Sequence, residues 1–150
     1  MEGMEGVMVA ETRTSCVDGE AGALLIRGWP IGELAGRAPF EAVCALVLDG
    51  ALDGAPVALG PARVAAFERL EALGGALALD DPMDALRASV AQLDGRASAA
   101  DLIGALAVFA AAWARRAAGA PPLAPDPRAS HAADYLRMAR GRAASAPEIA

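Results

Sequence analysis

Large apolar residues recur over positions 98–118 at Leu102, Leu106, Phe109 and Trp113, spaced four, three and four apart, so a helix would gather them into one stripe. Small residues recur on the same segment at Gly104, Ala107, Ala111, Ala114 and Ala118, in a second stripe about 140° around the helix from the first. Ile103, Ala110 and Ala117 fill the arc between, and no polar face exists from 102 to 114. A helix that is apolar all round is buried on more than one side. The large stripe is therefore expected to fill a core. The small stripe is expected to let another backbone approach to the short end of the usual ~8–10 Å helix spacing. Ser98 is the predicted N-cap, with Asp101 set where a carboxylate meets the positive end of the helix. Arg115 and Arg116 suit the negative end, and Gly119 with Pro121-Pro122 stops the helix. The uncharged run is too short for a membrane span, which needs roughly 20 residues.

The same patterning organises the rest of the chain. Short apolar runs at 7–10 and 24–26, with Asp18-Gly19 and Gly22 between them, predict a small β-hairpin or two extended pieces. Pro30 bars helix at Trp29. Helices are predicted at 31–37 and from Pro39 to Asp49-Gly50. Over 61–73 an amphipathic helix is expected, with Val64, Phe67 and Leu70 alternating with a polar set of Arg63, Glu68 and Arg69. Asp80-Asp81-Pro82 starts a helix over 82–93 that puts Met83, Leu86, Val90 and Leu93 on one face. Ser130 caps a last helix over 131–140. The resulting expectation is one all-α piece: a short β or extended lead-in over 1–30, a helical body over 31–142, and a tail over 143–150 that ends on a helix-start-like SAPEIA.

Composition narrows the chemistry. The formal charge of −6 argues against nucleic acid, whose backbone wants a basic stripe. All thirteen basic residues are arginine, which excludes a lysine Schiff base and the lysine-bearing phosphate loop. The single histidine, His131, excludes any site that needs two. Cys16 and Cys44 stand far apart, and no leader pattern opens the chain, so a reduced, cytoplasmic protein is expected. Cys44 reads as a small buried hydrophobe. Asp80, Asp81 and Asp84 read as a capped helix start rather than a metal cluster. Arg137, Arg140 and Arg142 read as complements to a helix end rather than a phosphate site. His131 reads as structural, and Trp29 and Trp113 as core or interface aromatics. No catalytic, cofactor-binding or metal-ligating residue is assigned.

Several segments, in order, resemble the citrate synthase family. Gly6–Thr12 resembles its opening G-[V/I]-x-x-A-x-T, and Leu25-Ile26-Arg27-Gly28-Trp29-Pro30-Ile31 its L-x-Y-R-G-Y-x-I. Phe40-Glu41-Ala42-Val43 through Gly50 is similar to F-E-E-V-x-x-L-L-x-x-G, and Asp81–Arg87 to H-P-M-D-x-L-R. The alanine-rich helix from Leu102-Ile103 resembles L-I-A-K-x-P-x-I-x-A without its proline, and Ser130–Leu136 resembles S-H-A-x-N-F-L. The resemblance implies the N-terminal half of such an enzyme, in which the helices matching 82–93 and 98–118 pack across a two-fold dimer. Met83, Leu86, Val90, Gly104, Ala107, Ala111, Ala114 and Ala118 are then the expected interface residues. It further implies that the catalytic aspartate and two histidines lie beyond these residues; the first reading places them on a separate chain, so that an acyl-CoA and oxaloacetate would be condensed only by the assembled pair. The alternative reading is a non-catalytic helical module for dimerisation or regulation, and a third, ranked below the first, is a piece of a longer enzyme. Expected partners are a second copy or a C-terminal half, with neither nucleic acid nor membrane, and the only cofactor-like molecule is acyl-CoA as substrate of the assembly.

Overall fold

The computed structural model describes residues 12–149. The chain forms two compact units, Met1–Gly54 and Ala55–Ala150. It is mainly helical with one small sheet, as the patterning predicts.

In the first unit, β1 (Ser15–Asp18), β2 (Ala23–Ile26) and β3 (Trp29–Pro30) form an antiparallel sheet in sequence order. The strand partner of β2 is Ser15–Asp18, with Cys16 opposite Leu25. The run at 7–10, expected from sequence as a hairpin strand or an extended piece, and most of the Gly6–Thr12 motif lie outside the described residues. Arg27 (φ 49°) and Gly28 (φ 85°) make the tight turn into β3. The Arg27 guanidinium reaches the Val47 carbonyl at 2.8 Å, fastening the sheet to the end of a helix. α1 (Ile31–Leu34) is shorter than the predicted 31–37. α2 (Phe40–Asp49) follows Pro39 and ends at Gly50 in the left-handed conformation, as read. Its inward face is Cys44, Ala45 and Leu46.

The second unit is built on α3 (Leu59–Glu68) and α5 (Ala99–Ala117), with α4 (Pro82–Val90) and α6 (His131–Arg140) packed on α5. α5 starts and stops where the sequence predicts. Ser98 and Asp101 form a reciprocal capping box, and Gly119 (φ 69°) lies just past its end. Asp81 caps α4 by accepting from the backbone N–H groups of Met83 and Asp84. The predicted helix over 61–73 is two elements, since α3 gives way to a 3-10 turn at Leu70–Leu73. α7 (Ala146–Ile149) is a helical turn inside the expected tail, held where Glu148 accepts from Arg140, Arg142 and the Ser145 backbone and hydroxyl.

Two expectations about which side faces in are corrected. On α5 the large stripe does not all enter the core: Phe109 is fully buried, whereas Leu102 and Leu106 are 37% and 41% exposed. The small positions Gly104, Ala107 and Ala111 are the buried ones. On α3 the inward residues are Leu59, Ala62, Arg63 and Ala66, while Val64 and Phe67 lie half-buried at the flanks. Arg63, expected on the polar side, is wholly inaccessible. The close approach of two helices explains the inward small residues, and Arg63 is drawn in by its own polar partners on α6 and the connection before it. α3 and α5 approach so closely that a Cβ added at Gly104 would sit 2.7 Å from the Ala62 Cβ and 2.9 Å from α3 backbone. Only small side chains fit between such helices, and large ones are turned out to the sides.

Candidate functional site: an apolar groove beside a buried ionic cluster

α4, α5 and α6 together present an apolar groove of about 260 Å³. Phe109 and Ala110 of α5 lie along it with Trp113 and Ala114, Met83 and Leu86 come from α4, and Tyr135 from α6. The Trp113 indole N–H donates to the Leu79 carbonyl at 2.9 Å, so its polar atom is satisfied and the ring offers apolar surface. Met83 is 58% exposed and Tyr135 37% exposed. With Leu102 and Leu106 on the same side of α5, large apolar side chains stand in water across one face of the unit.

The eight predicted interface residues are distributed unevenly. Met83, Leu86 and Ala114 line the groove. Val90 packs half-buried against the core. Gly104, Ala107 and Ala111 are covered by the chain's own packing, and at Gly104 the close backbone is α3. Ala118 is exposed just beyond the end of α5. Sequence reasoning missed Tyr135, Leu102 and Leu106 as surface. The pattern held no signal for the two leucines, because both stripes of α5 are apolar.

Behind the groove wall lies a polar cluster that the sequence reading did not assemble. Arg63 of α3 donates from Nε to Asp134 Oδ2 at 2.7 Å, with both side chains buried. Its Nη2 donates to the carbonyls of Asp126 and Ala129 at 3.0 and 2.9 Å. Its Nη1 lies 3.3 Å from His131 Nδ1. A guanidinium only donates, so Nδ1 carries the lone pair and the imidazole proton is on Nε2. Asp134 also accepts from Arg137 Nε and Nη2 at 3.0 and 2.7 Å, and both its oxygens lie 3.1 Å from the Asp126 backbone nitrogen. Arg137 Nη2 also donates to the Ala124 carbonyl at 2.6 Å. The connection between α5 and α6 is thus tied to both α3 and α6. Gly60 completes the fit, since a Cβ there would meet the Pro127 carbonyl oxygen at 2.1 Å. Every partner in this cluster is engaged, and among the described residues no buried side-chain polar atom lacks a hydrogen bond. It is an anchor rather than a reaction centre.

Arg137, read from sequence as a complement to the helix end, is drawn onto Asp134, while Arg140 and Arg142 pair with Glu148. Asp81 is a cap and Asp84 pairs with Arg87, and among the described residues no group of three metal-capable side chains converges. Cys44 is buried, with its thiol pushed up first by desolvation and then by Glu41. Asp101 is held below the usual carboxylate range by the Ser98 hydroxyl and backbone N–H. Glu148 is held low chiefly by Arg142 and also by Ser145. Among the described residues, no helix is long and apolar enough to cross a membrane.

Comparison with known proteins adds what the geometry leaves open. A family model described as "Citrate synthase, C-terminal domain" matches residues 3–150. The chain is 32% identical to the citrate synthase of Acidithiobacillus ferridurans, over 93% of its own length and 42% of that protein's. It is 32% identical to a 2-methylcitrate synthase of Mycobacterium tuberculosis, over 93% of itself and 40% of the relative. In fold it is similar to the Thermoplasma acidophilum citrate synthase solved as a ternary complex with carboxymethyl coenzyme A and oxaloacetate, with a TM-score of 0.81 at 23% identity, covering 99% of this chain and 45% of that one. The chain therefore spans about two fifths of the length of the curated relatives it matches.

Proposed function

Because the chain belongs to the citrate synthase family, we propose that residues 1–150 are the helical N-terminal part of an enzyme that condenses an acyl-CoA with oxaloacetate. The groups that move protons in that reaction come from polypeptide outside these residues, on a separate chain in the form we favour. The observation that carries the reading is the family match over 3–150 in a segment with one histidine, where the reaction needs two histidines and an aspartate. That histidine already spends its Nδ1 lone pair on Arg63. The names of the relatives, citrate synthase and 2-methylcitrate synthase, support an acetyl- or propionyl-CoA class of substrate.

In this reading the groove of α4, α5 and α6 is the contact face between two copies. Its exposed Met83 and Tyr135, with Leu102 and Leu106 exposed further along α5, are the kind of surface that a monomer rarely leaves in water.

The test is an assay of CoA release from acetyl-CoA or propionyl-CoA with oxaloacetate. It is run on the chain alone and on the chain mixed with the part of the A. ferridurans enzyme that it does not match. Release by the mixture only is the expected result, and release by the chain alone overturns the proposal. A second reading, a non-catalytic helical module, is favoured by the one feature that needs no absent residues, the exposed apolar face itself. A stable homodimer that binds no C-terminal half and releases no CoA in the mixture would decide for it.

A further inference from the structure

We infer that Asp134 is a positioning residue for the groove: gripped from two helices and a connection, it fixes the roll of α6 and so the place of Tyr135 in the groove wall. The inference rests on the reading of that groove as a contact face, and it concerns what holds the face in shape.

α6 has little apolar grip of its own. Of its ten residues the buried ones are His131, Asp134 and Met138, and only Met138 is a large apolar side chain. Ala132, Ala133 and Ala139 are half-buried and small, and Leu136 is the one large apolar side chain among the half-buried positions. Apolar contacts are non-directional and those of alanine are nearly alike under rotation, so apart from Met138 and Leu136 packing does little to set the roll of this short helix. The bonds on Asp134 are directional. Its carboxylate receives Arg63 from α3 at 2.7 Å, Arg137 from its own helix at 2.7 Å, and the Asp126 N–H from the connection at 3.1 Å. Charge-assisted bonds of this kind are short and geometrically specific. Tyr135 follows in sequence, about 100° further round the helix, and is the α6 residue that lines the groove. A change of roll that breaks the carboxylate's bonds therefore moves Tyr135 directly.

Tyr135 is the only tyrosine, which gives a single-site probe. Fluorotyrosine incorporated into the full chain reports its ring by fluorine NMR, with the association constant measured in parallel by sedimentation. Asp134→Asn keeps the shape but turns an amide N–H₂ toward guanidinium donors. The control is Leu73→Ala, a buried core truncation elsewhere in the unit. Expected is one narrow dispersed line in the parent and in Leu73→Ala, against a split or shifted line in Asp134→Asn, with association weakened about tenfold. An unmoved line in Asp134→Asn, or equal movement in both variants, overturns the inference. If the parent is monomeric at every concentration, the contact-face reading falls while the line still decides the role of Asp134. Should Asp134→Asn fail to fold, Arg137→Gln, altered at a partly exposed side chain that donates two of the bonds, carries the same comparison.

Discussion

The groove and the ionic cluster lie on adjoining faces of α6 and reverse the usual distribution of residue types. On one face Met83, Leu102, Leu106 and Tyr135 stand in water; on the other, Arg63, Asp134 and His131 are buried. The difference teaches where each face finds its partners. The cluster is closed within the chain: its donors and acceptors come from α3, α6 and the connection between α5 and α6, and none is left over. The groove is open, with polar atoms such as the Trp113 N–H satisfied and apolar surface left uncovered. A buried ion pair is costly to form but far costlier to halve, so it specifies one arrangement of the helices that carry it. An apolar groove specifies nothing until something covers it.

The strongest way to break this comparison is to halve the cluster. Arg63→Met leaves Asp134 buried with Arg137 as its remaining charged partner, and the expected loss is about 4 kcal/mol in urea unfolding. The double variant Arg63→Met/Asp134→Leu removes both charges and should recover a large part of that loss, because apolar replacements of a buried pair are often neutral. Equal instability of the single and double variants would mean that packing, not charge, is what Arg63 supplies.

The next test separates two members of one predicted stripe. Phe109 is fully buried at the groove floor, so Phe109→Ala should cost about 3 kcal/mol, the low end for such a truncation because the void opens onto the groove. Leu106→Ser, one turn earlier and 41% exposed, should change monomer stability by less than about 0.5 kcal/mol. It should instead weaken self-association in sedimentation. A large loss of monomer stability in Leu106→Ser would return it to the core, where its spacing first put it.

What could be read in the sequence was what neighbours in the chain decide. The Ser98–Asp101 box, the Asp81 cap and the Gly50 stop all rest on residues within a turn of one another, and each is present as read. The inward face of α5 was not legible, because Leu102/Leu106/Phe109/Trp113 and Gly104/Ala107/Ala111 are equally apolar at the same period. What chose between them was the approach of α3, some forty residues upstream in the chain. Arg63 shows the same limit more sharply, since Asp134 lies 71 residues away. The available signal was its setting: Leu59, Ala62, Val64, Ala65, Ala66 and Phe67 surround it, and within α3 the only other charged residue is Glu68 at its end. Asp134 also stands where the family motif S-H-A-x-N-F-L has asparagine, so a carboxylate replaces an amide where this chain has two arginines to receive it.

The smallest effect sharpens the comparison from the solvent side, at the start of α5. Asp101 accepts from the Ser98 backbone N–H at 2.9 Å and from its hydroxyl at 2.8 Å, and these bonds hold its carboxyl below the ordinary aspartate value. The sign follows from proton binding. The unfolded chain takes up this proton at higher pH than the folded one, so the box contributes in full above the unfolded value of about 4 and is lost as pH falls through the folded one. Urea midpoints of the parent and Asp101→Asn should differ at pH 5.5 and converge toward pH 3, with the parent showing the steeper acid slope. Parallel slopes would show that Asp101 titrates alike in both states and that the box contributes nothing through its charge. Glu148, held low by Arg142 and Ser145 in the last helical turn, adds the same acid slope to both proteins and cancels in the difference. The comparison thus isolates an exposed carboxylate that acts through a helix end.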